Sequence, residues 1–339
     1  MKNYQRLLLS TSWVFLTLCV QRHEPAWCQA LDTAKLIEGA KKEGALLIYG
    51  VTDLRQANLV LGTFREKYPF IDAKFNRFSD DYHARLVAEQ KSGKFLADVL
   101  QNNSLGLYFL KKAGLFVYYL SPEDRYYPRE FKDQGYWTTT NLNVHVLAYG
   151  TKTVARAKLP KTWEDLLSPT WKGKMMLSVR EQWFAWILQT MGKDKGLNYL
   201  RELSRQNLAL RRESTAMRAQ LVSAGESDLD IDSSLSVVTP MKKSGAPIDW
   251  TALTPALAVP AGHGIAVHAP HPNAAKLFIE FLLSKEGQKT NLSFERNVIR
   301  SDLLEEQGAL KEAKLVPVDP TLGENMDYYG KQAREIFSQ

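Results

Sequence analysis

Ala269-Pro270-His271-Pro272-Asn273-Ala274-Ala275-Lys276-Leu277-Phe278-Ile279-Glu280-Phe281-Leu282-Leu283-Ser284-Lys285-Glu286-Gly287-Gln288 is the stretch on which the fold turns. Two prolines fix its entry, and Pro272 suits the first turn of a helix, where its missing N–H costs nothing. His271 or its neighbour stands at the helix entrance. Ala275, Phe278, Ile279 and Leu282 recur at helical spacing and make one apolar stripe. Gly287 ends or bends a following turn. By itself the stretch specifies a capped amphipathic helix and no chemistry.

The chain around it has 339 residues, room for one large domain or two ordinary ones with separate cores. With 45% hydrophobic and 24% charged residues it is globular, not disordered. The formal charge is +7, of which residues 1–30 (Lys2, Arg6 and Arg22 against Glu24) hold +2, leaving +5 on the rest. No basic run with interleaved aromatics accompanies that excess, so nucleic acid is not an expected partner. Lys2 and Arg6 precede the apolar run Leu7 to Val20, too short for a comfortable membrane span, and Cys28-Gln29-Ala30 offers small residues at the two key cleavage positions. Residues 1–30 therefore read as a signal peptide cleaved after Ala30 or a few residues earlier. Both cysteines, Cys19 and Cys28, fall inside it. The mature chain then has no disulfide, no cysteine nucleophile and no thiolate metal site. No later run approaches the length of a membrane helix, so the mature protein is expected to be soluble.

After Ala30, strand-like runs alternate with helical patterns. Leu31 to Lys42 is helical and ends at Gly44, a good C-cap. Ala45 to Tyr49 is a continuous apolar run of the kind covered on both faces in a parallel sheet. A helix carrying Ala57, Val60, Leu61, Phe64 and Tyr68 on one face follows, ending at Pro69. Ile71 to Phe75 and Phe95 to Leu100 read as further strands, with a helix to Lys91 capped by Ser79 or Asp80 between them. Val144 to Tyr149, Met175 to Val179 and Leu229 to Leu235 continue the strand pattern. Thr162 and Asp165 form a capping-box pair, and Ser214 caps a helix ending near Gly225. The repeated unit of strand, polar loop and helix predicts an α/β fold with a mostly parallel sheet. In such sheets ligands bind beyond the carboxyl ends of the strands. The loops Gly50–Asp53, Arg77–Asp80 and Asn102–Ser104 lie at such ends.

The late helix, Lys161 to Ser178 (KTWEDLLSPTWKGKMMLS), Lys41 to Gly50 (KKEGALLIYG) and Gly225-Glu226-Ser227 together resemble bacterial extracellular solute-binding proteins, the receptors of ABC importers, in the ferric-iron-binding-like branch. The similarity covers nearly all of residues 31–300. It implies a two-lobed type II periplasmic-binding-protein fold with a ligand cleft between lobes. The strands crossing between lobes fall near Asn141–Asn143 and near Leu257–Gly264. The expected organisation is 1–30 signal peptide, 31–142 first part of lobe 1, 143–256 lobe 2, 257–310 return to lobe 1, and 311–339 a C-terminal helical segment packing on lobe 2. Lobe closure around the solute presents the shape that the membrane permease reads.

In the ferric-binding members, two adjacent tyrosines hold the metal in the strand-end turn after the GE-containing helix. The matching turn here is Ile231-Asp232-Ser233-Ser234-Leu235, without tyrosine, and Gly50-Val51-Thr52-Asp53 lacks the histidine often found there. Ferric ion wants anionic oxygen ligands, of which only Asp53 and Asp232 are at hand. A small polar solute (an organic anion, an amino acid or a phosphonate-like molecule) is therefore the leading expectation, with no cofactor and no metal. Arg77, Arg180 and Arg212 offer planar forks for carboxylate or phosphonate. Thr52, Ser79, Asn102, Asn103, Ser214, Ser233 and Ser234 add uncharged polar groups, and Asp53, Asp80, Glu181 and Asp232 could take an amine. Asp232 and Ser233 stand out because their turn matches the family's ligand turn. His263, His268 and His271 have no metal-ligand spacing and read as structural or capping. The tryptophans read as core, with Trp183 kept as a stacking candidate because it follows a strand end.

The leading function is a monomeric periplasmic receptor delivering its solute to an ABC permease at the inner membrane. A ferric-iron-binding transport protein with a non-tyrosine site is one alternative. A ligand-sensing module or an enzyme on the same fold is the other, and for an enzyme no Gly-x-Ser-x-Gly elbow or other nucleophile motif is present.

Overall fold

The computed structural model describes residues 33–79, 82–178 and 180–338. The signal-peptide segment, its cleavage site and both cysteines lie outside the described residues. The chain begins α1 (Thr33–Glu43), β1 (Ala45–Gly50), α2 (Leu54–Lys67), β2 (Asp72–Arg77), α3 (His83–Lys91), β3 (Val99–Asn103) and α4 (Ser104–Lys112). Short 3-10 turns lead to β4 (Lys132–Asp133) and the long β5 (Trp137–Gly150). Next come β6 (Met175–Leu177), α5 (Glu181–Met191), α6 (Lys193–Ser204), β7 (Ala209–Leu210), α7 (Thr215–Ala224), β8 (Leu229–Ser234), α8 (Leu235–Lys243) and β9 (Ile248–Thr251). The chain closes through β10 (Ala256–Ile265), α9 (Pro272–Leu283), α10 (Lys285–Ser293), β11 (Leu315–Pro317) and α11 (Met326–Phe337).

Strand order is β2-β1-β3-β10-β5-β8-β6-β7, with β4 and β9 also pairing with β5, and β11 with β10. The pairs β1–β2, β1–β3, β6–β8 and β6–β7 are parallel, as the alternating strand–helix pattern requires. β5 is the seam. From Thr138 to Val144 it runs antiparallel to β10, and from His145 onward it pairs with β8 and β9. The buried side chains fall into separate hydrophobic clusters. The first gathers Tyr49, Tyr82, Leu100, Leu107 and Leu110. The second is built on Trp163, Trp171, Trp183 and Trp186, closed from outside by Ile336 and Phe337 of α11. Trp183 is 1% exposed and belongs to this core, so it offers no stacking face to a ligand.

The helix of Pro272–Leu283 shows why its motif is so constrained. Its entry is clamped by two acids. Asp98, fully buried, accepts the His271 backbone N–H at 2.7 Å, meets His271 Nδ1 at 3.0 Å, and accepts the Leu47 N–H at 2.7 Å. Glu43, ending α1, accepts from the backbone N–H of Asn273 and Ala274 at 3.1 and 2.7 Å, satisfying first-turn donors that His271 leaves open. The predicted stripe of Ala275, Phe278, Ile279 and Leu282 is buried, but so are Ala274, Leu277, Phe281 and Leu283, because the helix is packed on more than one side. Phe278, Ile279, Phe281 and Leu282 contribute about 1.5–3 kcal/mol each by leaving water. Gly287 does not end a turn. It lies in the first turn of α10, where a Cβ would stand 2.0 Å from the Phe281 carbonyl oxygen.

Two strands are shifted from their sequence reading for a shared reason: buried polar residues hid them. The run Phe95–Leu100 becomes β3 at Val99–Asn103, because the Gln101 amide is spent on the chain itself. Its Oε1 accepts the Val51 and Thr52 N–H groups at 2.9 and 3.0 Å. The strand Val144–Tyr149 extends back to Trp137 through Thr138, Thr139 and Thr140, which are buried with their hydroxyls bonded, Thr138 to Asp124 at 3.0 Å and Thr140 to His263 Nδ1 at 2.8 Å. No helix among the described residues is long and apolar enough to cross a membrane.

Candidate ligand-binding cleft

A cleft of about 300 Å3 opens beside β5 where that strand changes partners. Asn141, Leu142 and Asn143 form its floor, with Gln56 from α2 and Arg296 and Asn297 from the segment after α10 on one side. On the other side stand Thr215 at the start of α7, Ser234 at the end of β8, and Ser236 and Val237 in the first turn of α8. The volume is in the ordinary range for a small-molecule site.

Arg296 dominates its electrostatics. Among the described residues it is the one ionised side chain lining the cleft, and it forms no ion pair. Burial alone pulls its guanidinium down to about 10. Half-buried and without a counter-charge, it is a group that an incoming anion would complement. Beneath it lies His263, whose pKa burial, reinforced by Arg296, lowers to about 3, so that neighbour stays neutral. The first turn of α8 carries no side-chain cap. Ser234 Oγ instead engages Asn143 Oδ1 at 2.8 Å and Ser236 Oγ at 2.9 Å. Uncapped helix N–H groups and a lone arginine in one cleft are both suited to an anion. Asn141 Oδ1, at the floor, is buried without a hydrogen-bond partner.

Of the residues expected from sequence to touch ligand, Ser234 alone lines this cleft. Arg180 reaches its edge, with Nη2 3.5 Å from Thr215 Oγ1. Several others are helix caps. Asp53 accepts from Arg55 and Gln56 N–H at the start of α2, Asn103 from Gly106 N–H at the start of α4, and Ser214 from Met217 N–H at the start of α7. Thr52 lines a small void below, against Ala57 and Phe75. Asn102 is buried over Gly106, and its Oδ1 accepts the Asn103 N–H at 2.8 Å. Glu181 lies over Gly330 of α11. Arg77, Ser79 and Arg212 are exposed outside the cleft lining, and Asp80 lies outside the described residues.

Asp232 and Ser233, the firmest expectations, sit one layer below the cleft. Asp232 is 2% exposed and its Oδ1 lies 2.6 Å from His145 Nδ1, while its Oδ2 and the Ser233 hydroxyl are buried without partners. Arg218 underpins the turn. Fully buried, it pairs with Asp230 at 3.1 Å and donates to the carbonyls of Asp232 and Glu213 at 2.7 and 3.2 Å. One guanidinium thereby joins the end of β8 to the loop entering α7, the two segments that supply this wall. Burial pushes the Asp230 carboxyl up to about 6 despite that partner. Among the described residues no group of three His, Cys, Asp or Glu is placed to hold a metal ion.

Residues 97–295 match the model of a family described as bacterial extracellular solute-binding protein. The chain belongs to that family. As a solute-binding protein of ABC import it holds its solute rather than turning it over. It is 27% identical over 242 residues to the Fe(3+)-binding periplasmic protein of Serratia marcescens, covering 66% of this chain and 68% of that one. It is 33% identical over 141 residues to a Salmonella typhimurium periplasmic protein named for 2-aminoethylphosphonate binding, covering 38% and 42%. The periplasmic binding protein AfuA from Actinobacillus pleuropneumoniae, solved with exogenous fructose-6-phosphate bound, superposes at a TM-score of 0.66 with 24% identity over 86% of this chain and 97% of that one. The fold is therefore the type II periplasmic-binding-protein fold expected from sequence.

Proposed function

We propose that this solute-binding protein is exported, captures a small organic anion in the cleft beside β5 and delivers it to an ABC permease at the inner membrane. The observation that carries the reading is Arg296, a half-buried guanidinium with no counter-ion among the described residues, sharing its cleft with the uncapped first turn of α8. Lobe 1 is assigned to 31–142 and 257–310 and lobe 2 to 143–256, with 311–339 packed on lobe 2. The partner change of β5 at Val144–His145 and the packing of α11 on α5 and α6 support that division.

Ferric iron fits less well, although the Serratia relative is named for it. Among the described residues the cleft lining has no Asp, Glu or Tyr, and hard trivalent ions want anionic oxygen. Native mass spectrometry of the protein purified from a periplasmic extract tests both. An adduct the size of an organic acid, phosphonate or organic phosphate, lost in Arg296→Gln, is the expected result. An iron-sized adduct removed by a strong chelator overturns the anion reading.

A further inference from the structure

We infer that the C-terminal segment is a strap that sets the resting angle between the lobes: its 3-10 turn Pro320–Asn325 leaves lobe 2, rests on α4 of lobe 1 and returns to lobe 2 as α11. The inference rests on the lobe assignment above and adds a conformational control to it. On lobe 2 the strap is held at both ends. Trp186 Nε1 donates to the Val316 carbonyl at 3.1 Å, and Gln189 Nε2 to the Pro317 carbonyl at 3.0 Å. Leu322 packs against the tryptophan cluster, to which Ile336 and Phe337 of α11 belong. β11 also pairs with Ala256–Ala258 of β10, whose other edge meets β5 where Ala258 faces Val144. The strap therefore starts beside the strands assigned to the crossing between lobes.

The turn then reaches the other lobe. Glu324 Oε1 accepts the Tyr108 hydroxyl at 2.6 Å and pairs with Lys112, both on α4. Gly323 lies under Phe109, where a Cβ would stand 2.8 Å from Phe109 Cε2. Tyr108, Phe109 and Lys112 share one helix face by their spacing. The two attachments differ in kind. Trp186, Ile336 and Phe337 are buried, whereas the Lys112 and Glu324 side chains are 59% and 38% exposed. Exposed ion pairs contribute little to folding, so the contact on α4 can be made and broken while the strap stays on lobe 2. A contact made in one arrangement of the lobes and lost in another biases the balance between them.

Distances between spin labels at Glu66→Cys on α2 and Gln220→Cys on α7, measured by double electron–electron resonance in the solute-stripped exported protein, read the angle. Both positions are exposed, and no cysteine follows Cys28 in the chain. Labels at Glu66→Cys and Lys91→Cys, both within lobe 1, are the control. In Glu324→Gln, and in Gly323→Leu, which wedges a side chain against Phe109, the α2–α7 distribution is expected to broaden or shift while the α2–α3 distance holds. Thermal melting of Glu324→Gln should match the parent, a result that a merely structural ion pair would not combine with moved lobes. A parent-like α2–α7 distribution in either variant, or an α2–α3 distance that moves with it, overturns the inference. The lobe assignment is checked separately by the change in the parent's α2–α7 distance on removing copurified solute, and a change there with parent-like variants overturns the strap alone. No anion enters the comparison of variants, so its outcome leaves the Arg296 reading to its own test.

Discussion

Replacing Arg218 with methionine should be among the most damaging single changes in the molecule, although Arg218 touches no ligand. The side chain is 0% exposed, as is its partner Asp230. Methionine fills most of the stem volume but removes three donations, to Asp230 Oδ2 and to the carbonyls of Asp232 and Glu213. Breaking a buried ion pair from one side typically costs about 3–5 kcal/mol, because the remaining charge has neither water nor partner. With about 2.1 cal/mol/K of unfolding entropy per residue over about 300 residues, each kcal/mol lowers Tm by about 1.5 °C, so a fall of about 5–8 °C is expected. Urea unfolding followed by tryptophan fluorescence and circular dichroism at matched pH measures it.

Two further readouts separate this account from generic core damage. Asp230 titrates at about 6 in the fold against an ordinary carboxylate value near 4. A raised folded-state value gives a contribution fully present below pH ~4 and lost as pH rises through 6. Without Arg218 the carboxyl rises further, so the deficit of Arg218→Met relative to the native protein is larger at pH 7.5 than at pH 5. The double variant Arg218→Met/Asp230→Leu should regain much of the loss, since an apolar pair of similar volume costs far less than an orphaned charge. A deficit below about 1 kcal/mol, or a double variant no better than the single, refutes the reasoning.

Arg296→Gln should weaken anion binding at least about 30-fold in Kd by calorimetry, while the solute-free protein melts at the same temperature or higher because a half-buried cation without a partner has been removed. Glu43→Ala removes the acceptor of two N–H groups at the start of Pro272–Leu283 and should cost about 1–2 kcal/mol in urea titrations, with solute affinity unchanged. Gly287→Ala places a methyl 2.0 Å from the Phe281 carbonyl oxygen and should cost about 3 kcal/mol or more, seen as early protease cleavage or loss of soluble protein.

The architecture was legible where burial follows period. The stripe Ala57, Val60, Leu61 and Phe64 announces α2, and all four are buried. The Thr162–Asp165 capping box is present, with Asp165 Oδ2 accepting the Thr162 N–H at 2.9 Å and Thr162 Oγ1 accepting the Asp165 N–H at 3.3 Å. The C-terminal helical segment expected within 311–339 is α11, Met326–Phe337. The cleft was far less legible. Arg296 follows the end of α10, where a cation reads as a complement to the helix dipole. Only folding against β10 and α2 sets it in the cleft. Asn141 and Asn143 lie in a strand whose partner residues Ala261 and Val259 are more than a hundred positions away, so nothing local marks them as a binding floor.

The deeper ambiguity is that a polar residue between a strand and a helix has two uses, and the sequence pattern is the same for both. Asp53, Asn103 and Ser214 turn inward to accept N–H groups of their own helices, which removes those donors from any ligand. Ser234 occupies the same kind of position before α8 yet turns to Asn143 and Ser236, leaving that helix without a side-chain cap in a cleft that also holds Arg296. The competing partner comes from β5, distant in sequence and brought alongside by the antiparallel pairing of His145 with Ser234. Whether a strand-end serine serves the fold or the ligand is therefore decided by which neighbour tertiary packing puts within hydrogen-bond reach. That choice also fixes the sign of the solute, because a helix start left open beside an unpaired guanidinium favours negative charge from both directions.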